Sequence, residues 1–372
     1  MPRSRPAIDS ELAAALQAMP IGPNGVFDLT DIPATREAVR ALAEVIAGSI
    51  PDEPTVTTHE IQVPRAEAPD VPVLLLRPQN APGPLPVIVW FHGGGQVLGF
   101  AAQDAPWLKQ LSAALGCAVV AVDYRLAPET PAPGAAEDGY TAYRWISDNA
   151  TALGLDPTRV GLAGQSGGGG IAAATAFLIR DRGAATPLFQ LLQYPMLDDR
   201  NTTGSSREIT DIGIWDRSTN LLAWQAVLGD RVGTEDVTPY AAAARGTDLA
   251  GLPPTFIGVG ELDVFRDESL DYAARLHAHG VPVELHLYPG AYHAFDLFAP
   301  QSHLATSFHH TWNSYLARHL TKTAATPTEV TPGDLTGAFH HRDGFVREKR
   351  QHLFTSLGVT GVARCSILAE AR

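Results

Sequence analysis

Apolar positions along the chain change texture twice. Leu12, Leu16 and Met19, then Val39, Leu42, Val45 and Ile46, recur at helical spacing and predict two helices within residues 8–49. From residue 55 the apolar positions gather into short runs between turn residues: 55–63, 71–76, 86–91, 118–122, 160–163, 188–193, 255–259 and 283–287. Ile88, Val89, Trp90 and Phe91 are apolar without a break, which suits a strand covered on both faces. Helix-periodic segments lie between the runs, at 106–114, 135–147, 168–179, 268–279 and 303–319. Strands alternating with helices predict βαβ units, hence an α/β fold around a mostly parallel sheet of eight strands flanked by helices. The first two strands, joined by a short Pro/Asp turn, are expected to run antiparallel.

Two stretches break this rhythm. Residues 196–250 carry little strand signal but hold Ile214, Trp215, Leu221, Leu222 and Trp224, and read as a helical insertion over the sheet. From Thr321 a Thr/Pro-rich linker leads into a C-terminal tail, and residues 321–372 together carry seven basic and five acidic residues. Residues 346–357 in that tail fit either a basic helix or a disordered appendage. The expected organisation is N-terminal helices at 1–50, a core at 51–195 and 251–320, the insertion at 196–250, and a linker and tail of unassigned role at 321–372.

Composition then narrows the function classes. Of 372 residues, 45% are hydrophobic and 18% charged, as in ordinary globular chains. The net charge of −13 disfavours nucleic acid and anionic membrane surfaces, which require stripes of Lys and Arg. The tail contributes +2, so the acidity belongs to residues 1–320. Two cysteines, Cys117 and Cys365, are too few for a disulfide scaffold, and no Cys/His cluster has zinc-like spacing. Asp9 and Glu11 interrupt any apolar signal core, and no stretch approaches about 18 uninterrupted apolar residues. A cytoplasmic protein without a membrane span or metal site is the expectation.

The candidate chemistry sits at strand ends. Gly164-Gln165-Ser166-Gly167-Gly168 lies between the run 160–163 and a helical segment, the context in which G-x-S-x-G forms a nucleophile elbow. Alone, the pentapeptide equally fits a glycine-rich turn. His92-Gly93-Gly94-Gly95 follows the buried run 86–91, and Gly93, Gly94 and Gly95 offer unshielded N–H groups of the kind an oxyanion requires. Alone, this loop equally fits a flexible turn beside a buried histidine. Chain order then calls for an acid and a histidine. Asp263 follows the run 255–259, and His293 follows the run 283–287, both where the active edge of a parallel sheet lies. Asp267 and Glu268 compete with Asp263 but fall in a helix's first turn, where carboxylates commonly serve the dipole.

With these motifs in order, the chain resembles the bacterial hormone-sensitive-lipase-like esterases, family IV of the α/β-hydrolases. The carrying residues are His92-Gly93-Gly94-Gly95, Asp123-Tyr124-Arg125-Leu126-Ala127-Pro128-Glu129, Glu137-Asp138, Gly164-Gln165-Ser166-Gly167-Gly168, Asp263 and Tyr292-His293-Ala294-Phe295, spread over about residues 8–320. The resemblance implies an α/β-hydrolase sheet with a cap built from the N-terminal helices and the 196–250 insertion. It implies hydrolysis of short- to medium-chain carboxylic esters without a cofactor, with oxyanion donors at Gly94, Gly95 and Gly167, and dimers paired through the strand near 283–287. Three positions depart from the family pattern. Gln165 replaces an acidic residue, Gly167 an alanine, and Ala294 a glycine.

Substrate choice is less constrained. Phe100, Trp107, Tyr194, Trp215, Trp224 and Phe265 are candidate pocket residues, although aromatics equally serve as core. A tailoring esterase, lactonase or amidase acting on one metabolite stays open beside a general esterase, as does a non-catalytic binding protein on the same fold.

Overall fold

A computed structural model describes residues 5–321 except 20, 23, 66 and 67. The chain divides between Lys322 and Thr323 into two units, and the described residues belong to the first. The expectations for the tail, including a helix at 346–357, lie outside them.

The first unit opens with α1 (Ser10–Ala18) and α2 (Ile32–Ser49). Asp9 and Asp31 cap these helices with their side chains. There follow β1 (Val56–Val63), β2 (Val71–Pro78), β3 (Leu85–Phe91), α3 (Ala105–Leu115), β4 (Ala118–Val122), α4 (Gly134–Leu153), β5 (Leu155–Gln165), α5 (Gly167–Asp181) and β6 (Gln190–Gln193). Next come α6 (Gly204–Glu208) and α7 (Arg217–Leu228), then β7 (Thr255–Leu262), α8 (Arg266–Ala278), β8 (Val283–Tyr292), α9 (Phe295–Phe298) and α10 (His303–Leu320).

All eight strands join one sheet in the order β1-β2-β4-β3-β5-β6-β7-β8. The pairings from β4 through β8 are parallel, while β2 runs antiparallel to both β1 and β4. Every residue of β3 is buried because both sheet faces are covered. Ile88 and Trp90 face a core shared with α3, α10 and the helices of residues 196–250, whereas Val87, Val89 and Phe91 face α4, α5 and α8. That two-sided burial is the physical reason for the unbroken apolar run.

The insertion is short and mostly looped, with α6 and α7 its only α-helices among the described residues. It is fastened by buried polar groups. Arg245 pairs with Asp199 at 2.7 Å, both side chains almost wholly buried, and Asp267 accepts the Ser205 N–H at 2.7 Å. The α2 helix is tied down by one residue. Arg36 donates to the Val97 and Ala127 carbonyls at 2.9 and 2.8 Å and forks onto both Glu129 oxygens at 2.8 Å. Those bonds hold the Glu129 carboxyl down to about 2. Asp138 plays the corresponding part below the sheet, where its buried carboxylate accepts from the Arg125 backbone and guanidinium and from Arg65.

Candidate active site

The site forms where β3, β5, β7 and β8 end on one edge of the sheet. β5 runs straight into α5, leaving Ser166 to make the turn alone, at φ 55° and ψ −120°. Such angles are strained for a residue with a side chain. The surrounding bonds hold them, since the Ser166 N–H donates to Gln193 O at 2.8 Å and its carbonyl accepts from Met196 at 3.0 Å. Glycine on both sides is required by contact. A Cβ at Gly164 would stand 2.4 Å from Gly168 O, and one at Gly168 would stand 2.2 Å from Phe91 O.

Ser166 Oγ lies 2.9 Å from His293 Nε2, and His293 Nδ1 lies 2.8 Å from Asp263 Oδ2. The other Asp263 oxygen accepts the Phe265 N–H at 2.9 Å. All three side chains are buried. With Nδ1–H given to the carboxylate, Nε2 is left to accept the serine proton. The competing carboxylates are occupied elsewhere. Asp267 accepts from Ser205 and Arg266, and Glu268 accepts the Leu197 N–H at 2.7 Å.

Opposite the serine stands the loop 92–99. The N–H groups of Gly94, Gly95 and Gly167 donate to no protein acceptor among the described residues. Gly167 and Gly95 adjoin one another, for a Cβ on Gly167 would lie 2.7 Å from the Gly95 nitrogen. Gly93 also lines the cavity, and its carbonyl accepts from His92 Nδ1 at 2.8 Å. His92 itself is a structural post, stacked on Tyr124 at 4.1 Å. Complete burial lowers its pKa to about 4 and keeps it neutral.

A cavity of about 160 Å³ opens onto this arrangement. Trp107, Tyr194 and Trp215 line it, as does Gln165. Phe100 and Phe265, both expected as pocket residues, do not form its wall, and neither does Trp224. Phe265 is fully buried behind His293, edge to face at 5.1 Å, so it braces the imidazole instead of meeting substrate. Phe100 lies beyond Gly99 at the start of a short 3-10 turn, and Trp224 is core within the insertion.

A model of the α/β-hydrolase fold matches residues 88–297. Carboxylesterase NlhH of Mycobacterium tuberculosis is 37% identical over 301 residues, which is 80% of this chain and 91% of that protein. An ethyl acetate hydrolase of Pseudomonas putida is 30% identical over 78% of this chain and 92% of its own length. Among solved structures, a bacterial heroin esterase superposes with a TM-score of 0.81 at 38% identity, covering 86% of this chain and all of that one. The chain belongs to the hormone-sensitive-lipase-like carboxylesterases of the α/β-hydrolase family.

Several wall residues of this carboxylesterase escaped the sequence reading. Val39, Leu42, Ala43 and Ile46 of α2 line the cavity, as do Phe27, Leu98, Leu297 and Phe298. The α2 stripe was visible as helical periodicity, but nothing in periodicity says which face a cap turns toward a site. Gln103 and Asp104 also line the cavity. They sit at the start of α3, where a polar pair reads as ordinary helix-start chemistry.

Proposed function

We propose that the protein hydrolyses short- to medium-chain carboxylic esters by two-step acyl transfer, with Ser166, His293 and Asp263 as the triad. Ser166 Oγ attacks the ester carbonyl carbon as His293 Nε2 takes its proton, and the C–O bond to the alcohol breaks as that proton passes to the leaving oxygen. Water, deprotonated by His293, then attacks the acyl-serine and releases the acid. Asp263 holds the imidazole in its tautomer and stabilises its charged form. The N–H groups of Gly94, Gly95 and Gly167, with Gly93 beside them, are assigned to the oxyanion of each tetrahedral intermediate.

The unbroken relay of 2.9 and 2.8 Å contacts carries the proposal, because a binding protein has no need of all three members in register. The small, largely apolar cavity favours a short acyl or alcohol arm. A fluorophosphonate probe is expected to label the full-length protein at Ser166, and Ser166→Ala to lower kcat on p-nitrophenyl acetate by at least about 10³-fold. An unlabelled protein, or an alanine variant that keeps its rate, refutes the assignment. Profiling against esters of rising chain length, lactones and amides then separates a general esterase from a specialised one.

Two further assignments belong to the same proposal. Homodimers paired through β8 are supported by its position at the sheet edge, with Leu285 and Leu287 exposed. Light scattering on the full chain tests this. A cytoplasmic location is supported by the unpaired, buried Cys117 thiol, and among the described residues no helix is long and apolar enough to cross a membrane.

A further inference from the structure

The cavity at the triad holds one acidic side chain that the hydrolytic cycle does not use. Asp104 occupies the N-cap position of α3, yet its side chain makes no cap hydrogen bond to that helix. It is turned toward the cavity instead, only 5% exposed, with Oδ2 accepting the Trp90 indole N–H at 2.7 Å. The side chains of Trp107 and Gln103 also favour its charged form, but no Lys, Arg or His among the described residues pairs with it. These donors are all neutral, so they hold the carboxylate without supplying a counter-ion.

A carboxylate kept from water without a counter-ion is an unfavourable arrangement. Here burial outweighs the hydrogen bonds from Trp90, Trp107 and Gln103 and pushes its pKa up to about 6, so at pH 8 it is ionised with neutral donors but no counter-ion. The cavity wall carries the rings of Trp107, Tyr194 and Trp215 among aliphatic side chains such as Leu42, Ile46 and Leu98. Aromatic faces attract alkylammonium groups and offer anions nothing. Ser166 and His293 open on the same cavity, so one small molecule can touch both the carboxylate and the triad.

We propose that Asp104 anchors a compact alkylammonium group of the substrate, which makes esters carrying a cationic amine the preferred class. The proposal rests on the esterase reading of the same cavity. It adds a charged recognition point to a pocket that otherwise sorts ligands by size.

Two pairs of isosteres test it on the full-length protein at pH 8. Acetylcholine against 3,3-dimethylbutyl acetate probes the alcohol arm. The p-nitrophenyl esters of 4-(trimethylammonio)butanoate and 5,5-dimethylhexanoate probe the acyl arm. In each pair a carbon replaces the ammonium nitrogen, so shape is kept and charge removed. The wild type is expected to favour the cation in at least one pair by about 10-fold or more in kcat/KM, the scale of a charge-assisted contact. Asp104→Asn is expected to reduce that ratio below about threefold, and Asp104→Glu to retain more of it. The ratio is taken within each protein, so a general loss of activity cancels, and Asp104→Ser replaces the Asn variant should that one fail to fold. A wild-type ratio near or below one in both pairs overturns the proposal, and so does a preference that survives neutralisation of Asp104. Absence of any p-nitrophenyl acetate turnover in the wild type refutes the esterase reading instead.

Discussion

Adding a single methyl group at Gly94 tests the oxyanion assignment most sharply. Gly94 has φ +118°, and its carbonyl accepts from both Val97 and Leu98, at 3.0 and 2.8 Å. The loop therefore doubles back on itself. A Cβ at Gly94 would stand 2.3 Å from Leu98 O and 2.6 Å from Leu98 C, whereas ordinary contact begins at 3.4 Å. One of the two backbone segments must retreat by about 1 Å, and the strained φ adds about 1–3 kcal/mol. Oxyanion donors act only within about 2.7–3.1 Å of the developing charge. A displacement of about 1 Å thus costs on the order of 10²-fold in rate. Gly94→Ala is expected to lower kcat on p-nitrophenyl acetate about 100-fold while KM moves much less. Gly83→Ala is the control, since Gly83 has φ +71° with nothing within 4 Å of an added Cβ. It should lose some thermal stability and keep its rate. Steady-state kinetics and thermal unfolding on both variants decide the matter. A Gly94→Ala enzyme within threefold of wild-type kcat, or equal losses in both variants, refutes the reasoning.

Three further outcomes follow from the same geometry. Asp263→Asn is expected to lower kcat about 10⁴-fold by favouring the wrong histidine tautomer, while Asp267→Asn mainly lowers the melting temperature by weakening the Ser205 anchor; the reverse order moves the triad acid to Asp267. Arg36→Gln removes the tie between α2 and the 97–129 region and is expected to raise KM for p-nitrophenyl butyrate several-fold, with a smaller effect on p-nitrophenyl acetate, and equal effects on both esters contradict it. For Asp104, the folded-state pKa of about 6 lies above the ordinary 3.8, so its destabilising effect is absent below about pH 3.8 and complete above about pH 6. Urea unfolding of Asp104→Asn is therefore expected to show a stability gain over wild type that grows by up to about 3 kcal/mol between pH 4 and pH 8, and a pH-independent difference rules that out.

What the sequence disclosed depended on whether a residue's position followed from its neighbours in the chain. β3 and β4 were legible because they are buried on both faces and so are apolar without alternation, and β8 because Val283, Leu285 and Leu287 alternate with polar residues at the sheet edge. Ser166, Asp263 and His293 were legible because each follows a strand whose end is marked by glycine or by a break in the apolar run. The β8 strand was read as ending at Leu287 yet runs to Tyr292, because Pro289 and Gly290 look like a terminus although pairing resumes at Tyr292 opposite Leu262. The pocket wall was only partly legible. Trp107, Tyr194 and Trp215 line it, but Phe265 and Phe100 do not, and composition cannot tell a ring that faces a cavity from one that braces a neighbour. Asp104 was missed for the same reason. Its meaning comes from the absence of a cap bond and of a counter-ion, and both are facts of tertiary geometry.

The contacts that α2 and the 196–250 insertion make with the loop 92–99 imply that pocket and loop do not vary independently. Trp215 stands against Gly95 so closely that a Cβ there would lie 2.3 Å from the indole. The same indole donates to Asn220 Oδ1 at 3.2 Å, and Asn220 in turn donates to Asn201 at 2.6 Å, so its position is set from within the insertion. From the other side, Arg36 of α2 binds the carbonyl of Val97, three residues from the Gly94 that folds the loop. Both α2 and the 196–250 insertion thus press on the segment to which the oxyanion donors are assigned. A cap substitution chosen to widen the pocket at Trp215 also releases Gly95, and should reduce kcat along with changing substrate preference. In this fold, pocket shape and transition-state stabilisation share the same backbone, which limits how far one can be altered while the other is kept.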